Sequence, residues 1–278
     1  MPELPEVETI RRSLVPVLVG KRITSLWLSP LAPLDHTTPE QFRRSAKGKR
    51  ILSLGRRGKY LLVNLEGDQT LILHLGMSGN LIYSQSRDLA LESSPHLHLR
   101  LNLSPSSYLY GIDPRRFGRY SLGRTSKLSE HPLISHLGYE FDDPALTPQV
   151  LAGLARRHRR LEVKNFLLNQ RIIAGIGNIY ACEILFHARI HPQRRMGDLS
   201  LRRLERLLSA MREVLSLAIS QCGTSLRDYR DGFGNPGNFA SFLKVYGREG
   251  EPNPHGPGRV RRIVQQGRST FFVPGWQR

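Results

Sequence analysis

The sequence predicts an α+β chain: an N-terminal helix followed by an antiparallel β-sandwich, then a helical domain that ends in a β-hairpin. Three observations predict it. Apolar residues recur at helical spacing near the start, residues 23–122 alternate apolar with polar, and from 149 to 222 the period becomes helical again. With 278 residues the chain is long enough for two domains with separate cores.

In chain order, Val7, Ile10, Leu14 and Val17 fall on one face of the first helix, and Pro5 suits its first turn. Segments 61–65 and 71–75 read as strands separated by a Gly67-Asp68 turn. Segment 96–103 alternates most cleanly, with apolar side chains facing one way and polar ones the other. Pro144 and Pro148 mark the change of character. The expected division is a sandwich domain at 1–135, a linker at 136–150, a helical domain at 151–235 and a terminal hairpin module at 236–278. Leu201, Leu204, Leu207, Leu208, Met211 and Leu215 form an apolar stripe expected to pack into a core. The Gly/Asn-rich segment 231–238 reads as a mobile loop. Two short strands, 260–264 and 269–273, flank a Gln266-Gly267 turn.

A formal charge of +18, carried mostly by arginine, points to a polyanionic partner, and arginine forks suit phosphates and base edges. Charge alone selects only the partner class, since an RNA-binding protein has the same balance. No apolar run is long enough for a membrane span, and the N-terminus lacks the layout of a signal peptide, so a cytosolic location is expected. Cys182 and Cys222 are too few and too far apart for a disulfide framework and read as buried thiols.

Chemistry concentrates at the start. Removal of Met1, which a small Pro2 permits, leaves a secondary amine at the chain end, and α-amino groups titrate near pH ~8. Such an amine can attack an electrophilic carbon and become a cationic iminium without any cofactor. The positive end of the first helix lies close in sequence and favours the neutral, nucleophilic form. Glu3 supplies a carboxyl group for proton transfer. A Pro-Glu pair alone is an ordinary acidic helix start, so the weight falls on what accompanies it.

Pro2-Glu3-Leu4-Pro5-Glu6-Val7-Glu8-Thr9 resembles the start of the formamidopyrimidine-DNA glycosylases, bacterial enzymes that excise oxidised purines. The resemblance recurs, in the family's order, at Gly58-Lys59-Tyr60, at His74-Leu75-Gly76-Met77-Ser78-Gly79 and at Asp113-Pro114-Arg115-Arg116-Phe117-Gly118. It continues at Gly177-Asn178-Ile179-Tyr180-Ala181 and Val245-Tyr246-Gly247-Arg248, so it covers nearly the whole chain.

The resemblance implies roles for residues whose types fit them. An enzyme acting on a base within a duplex must rotate the nucleotide out and fill the gap, which calls for apolar wedges and a polar group for the orphaned partner base. Met77, Arg115 and Phe117 match the family's void-filling trio, with Arg115 addressing the opposite cytosine and Phe117 wedging the stack. Lys59 matches a lysine beside the damaged nucleotide. His74, His96, Arg159, Lys164 and Asn178 match DNA contacts, the last two in a helix–two-turn–helix clamp. His98, the polar neighbour of His96, reads equally as structural.

The tail departs from the pattern. The family's usual four-cysteine zinc finger places its ligands at Asn253, Gly256, Val273 and Trp276, none of them cysteine, and His255 alone cannot build a tetrahedral site. The hairpin run Gln266-Gly267-Arg268-Ser269-Thr270-Phe271-Phe272 is kept, with the arginine that grips phosphates in this family. A zincless finger, and no cofactor, is therefore expected. Structural zinc contributes an apparent ~10–16 kcal/mol in finger peptides. Burial of Val273 and Trp276 returns only about 3–6 kcal/mol, so docking on the helical domain is expected to contribute.

Together these features imply a bifunctional DNA glycosylase/AP lyase acting as a monomer on duplex DNA with oxidised bases or abasic sites. Catalysis is assigned to Pro2 and Glu3, supported by Lys59 and Arg268. Two other readings stay open: the sister class that removes oxidised pyrimidines on the same scaffold, and a non-catalytic protein that binds damaged DNA. Members of the sister class usually begin Pro-Glu-Gly-Pro-Glu, so Leu4 and Met77 favour the purine enzyme.

Overall fold

The computed structural model describes residues 2–278, and Met1 lies outside the described residues. The chain forms two compact units: one takes the sequence up to Ser135 together with Gln221–Ala240, the other His136–Ser220 with Ser241–Arg278.

The first unit opens with α1 (Leu4–Leu18), whose Val7, Ile10, Leu14 and Leu18 are buried while Val17 is half-buried. It packs on two four-stranded antiparallel sheets. One has the order β1 (Ile23–Leu28), β6 (Leu97–Leu103), β7 (Ser107–Ile112), β5 (Asn80–Ser84). The other has β2 (Ile51–Arg57), β3 (Tyr60–Leu65), β4 (Gln69–His74), β8 (Arg119–Gly123). Helices α2 (Pro39–Ala46) and α3 (Leu89–Glu92) complete it. Inward-facing Leu54, Leu61, Val63, Leu71 and Leu73 of one sheet and Leu99, Leu101 and Leu109 of the other share a core with α1.

Alternation in β6 has one exception. His98 is buried, with Nδ1 2.8 Å from Ser29 Oγ and Nε2 3.1 Å from the Asp113 carbonyl, so it is structural. A stretch expected in the helical domain, 221–235, belongs to the first unit instead. Its Gly/Asn-rich part is irregular, as its composition requires, but it is tied down rather than loose. The Tyr83 N–H donates to the Gly232 carbonyl at 2.7 Å, and Asp231 Oδ1 accepts the Phe233 and Asn235 N–H groups at 2.9 and 2.8 Å.

The second unit contains α4 (Pro148–Arg157), α5 (Val163–Leu168), α6 (Asn178–His187), α7 (Leu201–Ser220) and the hairpin β9 (Arg261–Gln265)–β10 (Arg268–Phe272). In α7 the expected stripe is buried from Leu204 to Leu215, but Leu201 is 47% exposed because it lies in the first turn, at the margin of the packed face. The hairpin turns through Gln266 and Gly267, both at positive φ (47° and 72°), the two-residue turn whose twist matches paired strands. Cys182 is buried as expected, whereas Cys222 is exposed in a turn at φ 60°. Among the described residues no helix is long and apolar enough to cross a membrane.

Candidate active site and nucleic-acid interface

Pro2 and Glu3 are buried at the start of α1, where Glu3 is the extended N-cap residue. The Glu6 carboxylate holds this start from two sides. Its Oε2 accepts the Glu3 backbone N–H at 2.7 Å, and its Oε1 accepts the Thr224 N–H at 2.8 Å. Gly223 has φ 77°, and a Cβ there would lie 2.9 Å from Glu6 Oε1, so both conformation and space demand glycine. The Tyr229 hydroxyl donates to the Cys222 carbonyl at 3.1 Å, and burial, then the Glu6 charge, push its phenol up. The first residues of the chain thus rest against segment 222–229. Sequence reasoning missed Glu6 and Thr224 as site residues. The spacing of Glu6 three residues after Glu3 was the available signal, whereas nothing marks Thr224.

Lys59 occupies a two-residue turn between β2 and β3, with Arg57 paired to Tyr60. Arg56 secures this turn to α1: its Nε lies 3.2 Å from Glu8 Oε2 and its Nη1 donates to the Gly58 carbonyl at 3.0 Å. Burial works against the Glu8 charge, but hydrogen bonds from Arg11 and Arg12 and the nearby Arg56 outweigh it and hold the carboxyl at about 2. His74, half-buried, is pulled down to about 4 by burial and then by the charges of Lys59 and Arg119. It is a neutral imidazole at physiological pH. Because Nδ1 accepts the Gly76 N–H at 3.0 Å, the remaining ring proton lies on Nε2.

The two loops expected to enter the duplex are joined back to back. Met77 is 39% exposed and Phe117 52%, and Arg115 is exposed with its guanidinium 4.8 Å from the Phe117 ring centre. A Cβ on Gly76 would lie 2.3 Å from the Phe117 carbonyl carbon, so only glycine lets the loops touch. Buried Asp113 locks them: Oδ1 accepts the Ser78 hydroxyl at 2.7 Å and Oδ2 the Gly118 N–H at 2.8 Å. Ser78 Oγ in turn accepts the Arg115 N–H at 3.2 Å. His96 is exposed, and its carbonyl accepts the Asp113 N–H at 2.9 Å.

In the second unit Arg159 and Arg268 are exposed. Asn178 is the first residue of α6, and its Nδ2 donates to the Ser269 carbonyl at 2.9 Å. Lys164, expected at a phosphate, is instead fully buried: its amino group donates to the same Ser269 carbonyl at 3.2 Å and to Thr270 Oγ1. A buried ammonium needs such partners. Two donors therefore converge on the residue next to Arg268. Buried Glu183 of α6 accepts the N–H groups of Lys244, Val245 and Tyr246 at 2.8, 3.0 and 2.8 Å, which fixes the chain entering the Val245-Tyr246-Gly247-Arg248 run.

Residues 1–120 match the model of the formamidopyrimidine-DNA glycosylase N-terminal domain, and 137–230 match that of the formamidopyrimidine-DNA glycosylase H2TH domain. The formamidopyrimidine-DNA glycosylase of Gluconobacter oxydans is 42% identical over the full length of both chains. The chain belongs to the formamidopyrimidine-DNA glycosylase family. The corresponding enzyme of Novosphingobium aromaticivorans is 44% identical, again over 100% of each chain. Among solved structures, a Lactococcus lactis Fpg mutant in complex with a Fapy-dG-containing DNA superposes with TM-score 0.92 at 32% identity, covering 100% of both chains. The Thermus thermophilus MutM (Fpg) protein gives TM-score 0.87 at 40% identity, covering 99% of this chain and 98% of that one.

Formamidopyrimidine-DNA glycosylases usually carry zinc, and the residues here do not fit it. Asn253 is buried, with Nδ2 donating to the Pro257 carbonyl at 3.1 Å and Oδ1 accepting the His255 N–H at 3.1 Å. Gly256 has no side chain, Val273 is fully buried among apolar neighbours, and Trp276 offers only an N–H donor. Among the described residues no group of three or more His, Cys, Asp or Glu side chains is placed to hold a metal ion.

Proposed function

We propose that this formamidopyrimidine-DNA glycosylase/AP lyase of base excision repair excises oxidised purines from duplex DNA through a Pro2 Schiff base and carries a zincless finger. The observation that carries the reading is the clasp at the start of α1, where Glu6 ties the Glu3 N–H at 2.7 Å and the Thr224 N–H at 2.8 Å.

After loss of Met1, the Pro2 nitrogen attacks C1′ of the extruded nucleotide and the glycosidic bond breaks. Glu3 protonates the ring oxygen as the sugar opens, giving an iminium between Pro2 and C1′. That cation acidifies the C2′ proton, whose loss expels the 3′ phosphate, and a second elimination expels the 5′ phosphate. Lys59 steadies the phosphate beside the lesion, and Arg268 and Asn178 each contact DNA phosphates. Met77, Phe117 and Arg115 fill the gap left in the duplex, with Arg115 addressing the estranged cytosine.

The unsuitability of Asn253, Gly256, Val273 and Trp276 as ligands favours a second reading, the oxidised-pyrimidine sister class. Met77 on its exposed loop weighs against it. Single-turnover cleavage of matched duplexes bearing 8-oxoguanine or an oxidised pyrimidine tests the choice: faster cutting of the purine lesion is expected, and the reverse order contradicts the proposal.

A further inference from the structure

Of the four positions that zinc ligands take in the family, Asn253, Gly256 and Trp276 lie together here, and Val273 belongs to the apolar cluster against which Trp276 packs. A Cβ on Gly256 would lie 3.7 Å from Asn253 Nδ2 and 3.8 Å from the Trp276 ring, and one on Gly258 would lie 3.3 Å from Val273 Cγ1. The Arg189 guanidinium sits over the Trp276 ring, 4.0 Å from its centre. His255 stacks on the same indole with centroids 5.9 Å apart and planes 18° apart, and Phe186 lies 6.1 Å away at 31°. His255 and Phe186 also stack on each other at 5.5 Å and 29°.

Trp276 therefore joins three separate stretches: the loop before β9, the tail after β10, and the C-terminal end of α6 with the residues that follow. Its neighbours reinforce the tie. Gln277 Oε1 accepts the Val273 N–H at 2.8 Å while Nε2 donates to the Ile190 carbonyl at 3.0 Å, and the Arg278 N–H donates to the Arg189 carbonyl at 3.1 Å. β10 is thus held at two points. Near the turn, the Ser269 carbonyl accepts from Lys164 and Asn178 at 3.2 and 2.9 Å. Beyond its far end, the indole is clamped against α6. A strand fixed at one end can pivot, but one fixed at both presents its exposed side chains at a set angle.

We infer that Trp276, held by Arg189, His255 and Phe186, is a positioning residue for Arg268 and takes over the cross-linking role that zinc has in relatives. The inference rests on the zincless reading of the tail. It assigns a task to Arg189, which lies outside the hairpin and outside the clamp motif.

The test uses the full-length protein and a lesion-bearing duplex, with binding measured across a salt series and zinc measured in each preparation. Each phosphate contact contributes about −0.9 to the slope of log affinity against log salt. Trp276→Ala is expected to weaken binding roughly tenfold and to flatten the slope by about one contact, as Arg268→Ala does. The double variant should be no weaker than Arg268→Ala alone. Trp276→Phe should restore binding, because it keeps an aromatic face and removes an indole N–H that is buried without an acceptor. Where Trp276→Ala misfolds, Arg189→Met carries the same slope measurement from the helix side. Folded, zinc-free Trp276→Ala or Arg189→Met protein with an unchanged slope, or fully additive losses with Arg268→Ala, overturns this inference alone. Stoichiometric zinc in the unmutated protein overturns the zincless reading beneath it.

Discussion

The Arg115 guanidinium stacks on Phe117, 4.8 Å from the ring centre, so the cationic and apolar parts of the second loop are paired with each other. An exposed cation–π contact of this kind contributes about 0.5–1 kcal/mol. That is small enough to be given up in the proposed contact of Arg115 with an orphaned base.

Cytosine offers Arg115 two adjacent acceptors, whereas adenine offers a donor beside an acceptor. The mismatch leaves a donor unsatisfied in a desolvated gap, a cost of about 1–3 kcal/mol, or roughly tenfold to a hundredfold in rate. Single-turnover cleavage of 8-oxoguanine opposite cytosine should therefore exceed that opposite adenine by this factor, and Arg115→Ala should compress the ratio. Equal rates with the unmutated enzyme would show that Arg115 does not read the partner base.

Glu6 accepts two backbone N–H groups, one from neighbouring Glu3 and one from distant Thr224. Glu6→Gln replaces one acceptor oxygen by an amide that meets a backbone donor, at a cost of about 1–3 kcal/mol. Single-turnover excision should fall about tenfold or more, while affinity for an abasic-site duplex changes little. A loss confined to binding would place Glu6 outside the catalytic start.

Burial, then the charges of Lys59 and Arg119, hold His74 at about 4 in the folded chain, below the ordinary imidazole value of about 6.5. Between these values the unfolded chain binds the proton and the folded one does not, so this contribution to stability is complete above pH ~6.5 and is lost as pH falls toward 4. Glu8, held at about 2, contributes stability above its unfolded value and loses it only in stronger acid. Denaturant midpoints measured from pH 7 to 4 should fall less steeply for His74→Gln than for the unmutated chain. Parallel curves would mean that His74 titrates normally.

Purified protein should contain no stoichiometric zinc, and chelator should leave cleavage unchanged, because Asn253, Gly256, Val273 and Trp276 offer no ligand set. Elemental analysis showing one tightly held zinc per chain is the contrary result.

Much of the fold was legible because its signals are local. Alternation marked β6, Gln266-Gly267 marked the hairpin turn within a residue, and Met77, Arg115 and Phe117 stood out on glycine-flanked loops. Features set by distant partners were not legible. Thr224 meets Glu6 across 218 positions, and the return of 221–240 to the first unit leaves no mark in periodicity. Lys164 matches a phosphate contact in the sequence, where lysine is seldom buried, and the Ser269 and Thr270 oxygens that accept its amino group lie more than a hundred positions away. Trp276 read as a missing ligand, and its partners Arg189 and Phe186 lie far away in sequence.

The central claim is that the Pro2 amine is the nucleophile, and borohydride reduction during reaction with a lesion-bearing duplex tests it most directly. Mass mapping should place the covalent DNA adduct on the peptide that begins at Pro2, and Pro2→Gly should keep DNA binding while losing most of the trapping and strand cleavage. An adduct on Lys59 or another lysine, or full trapping by protein that retains Met1, would contradict the account.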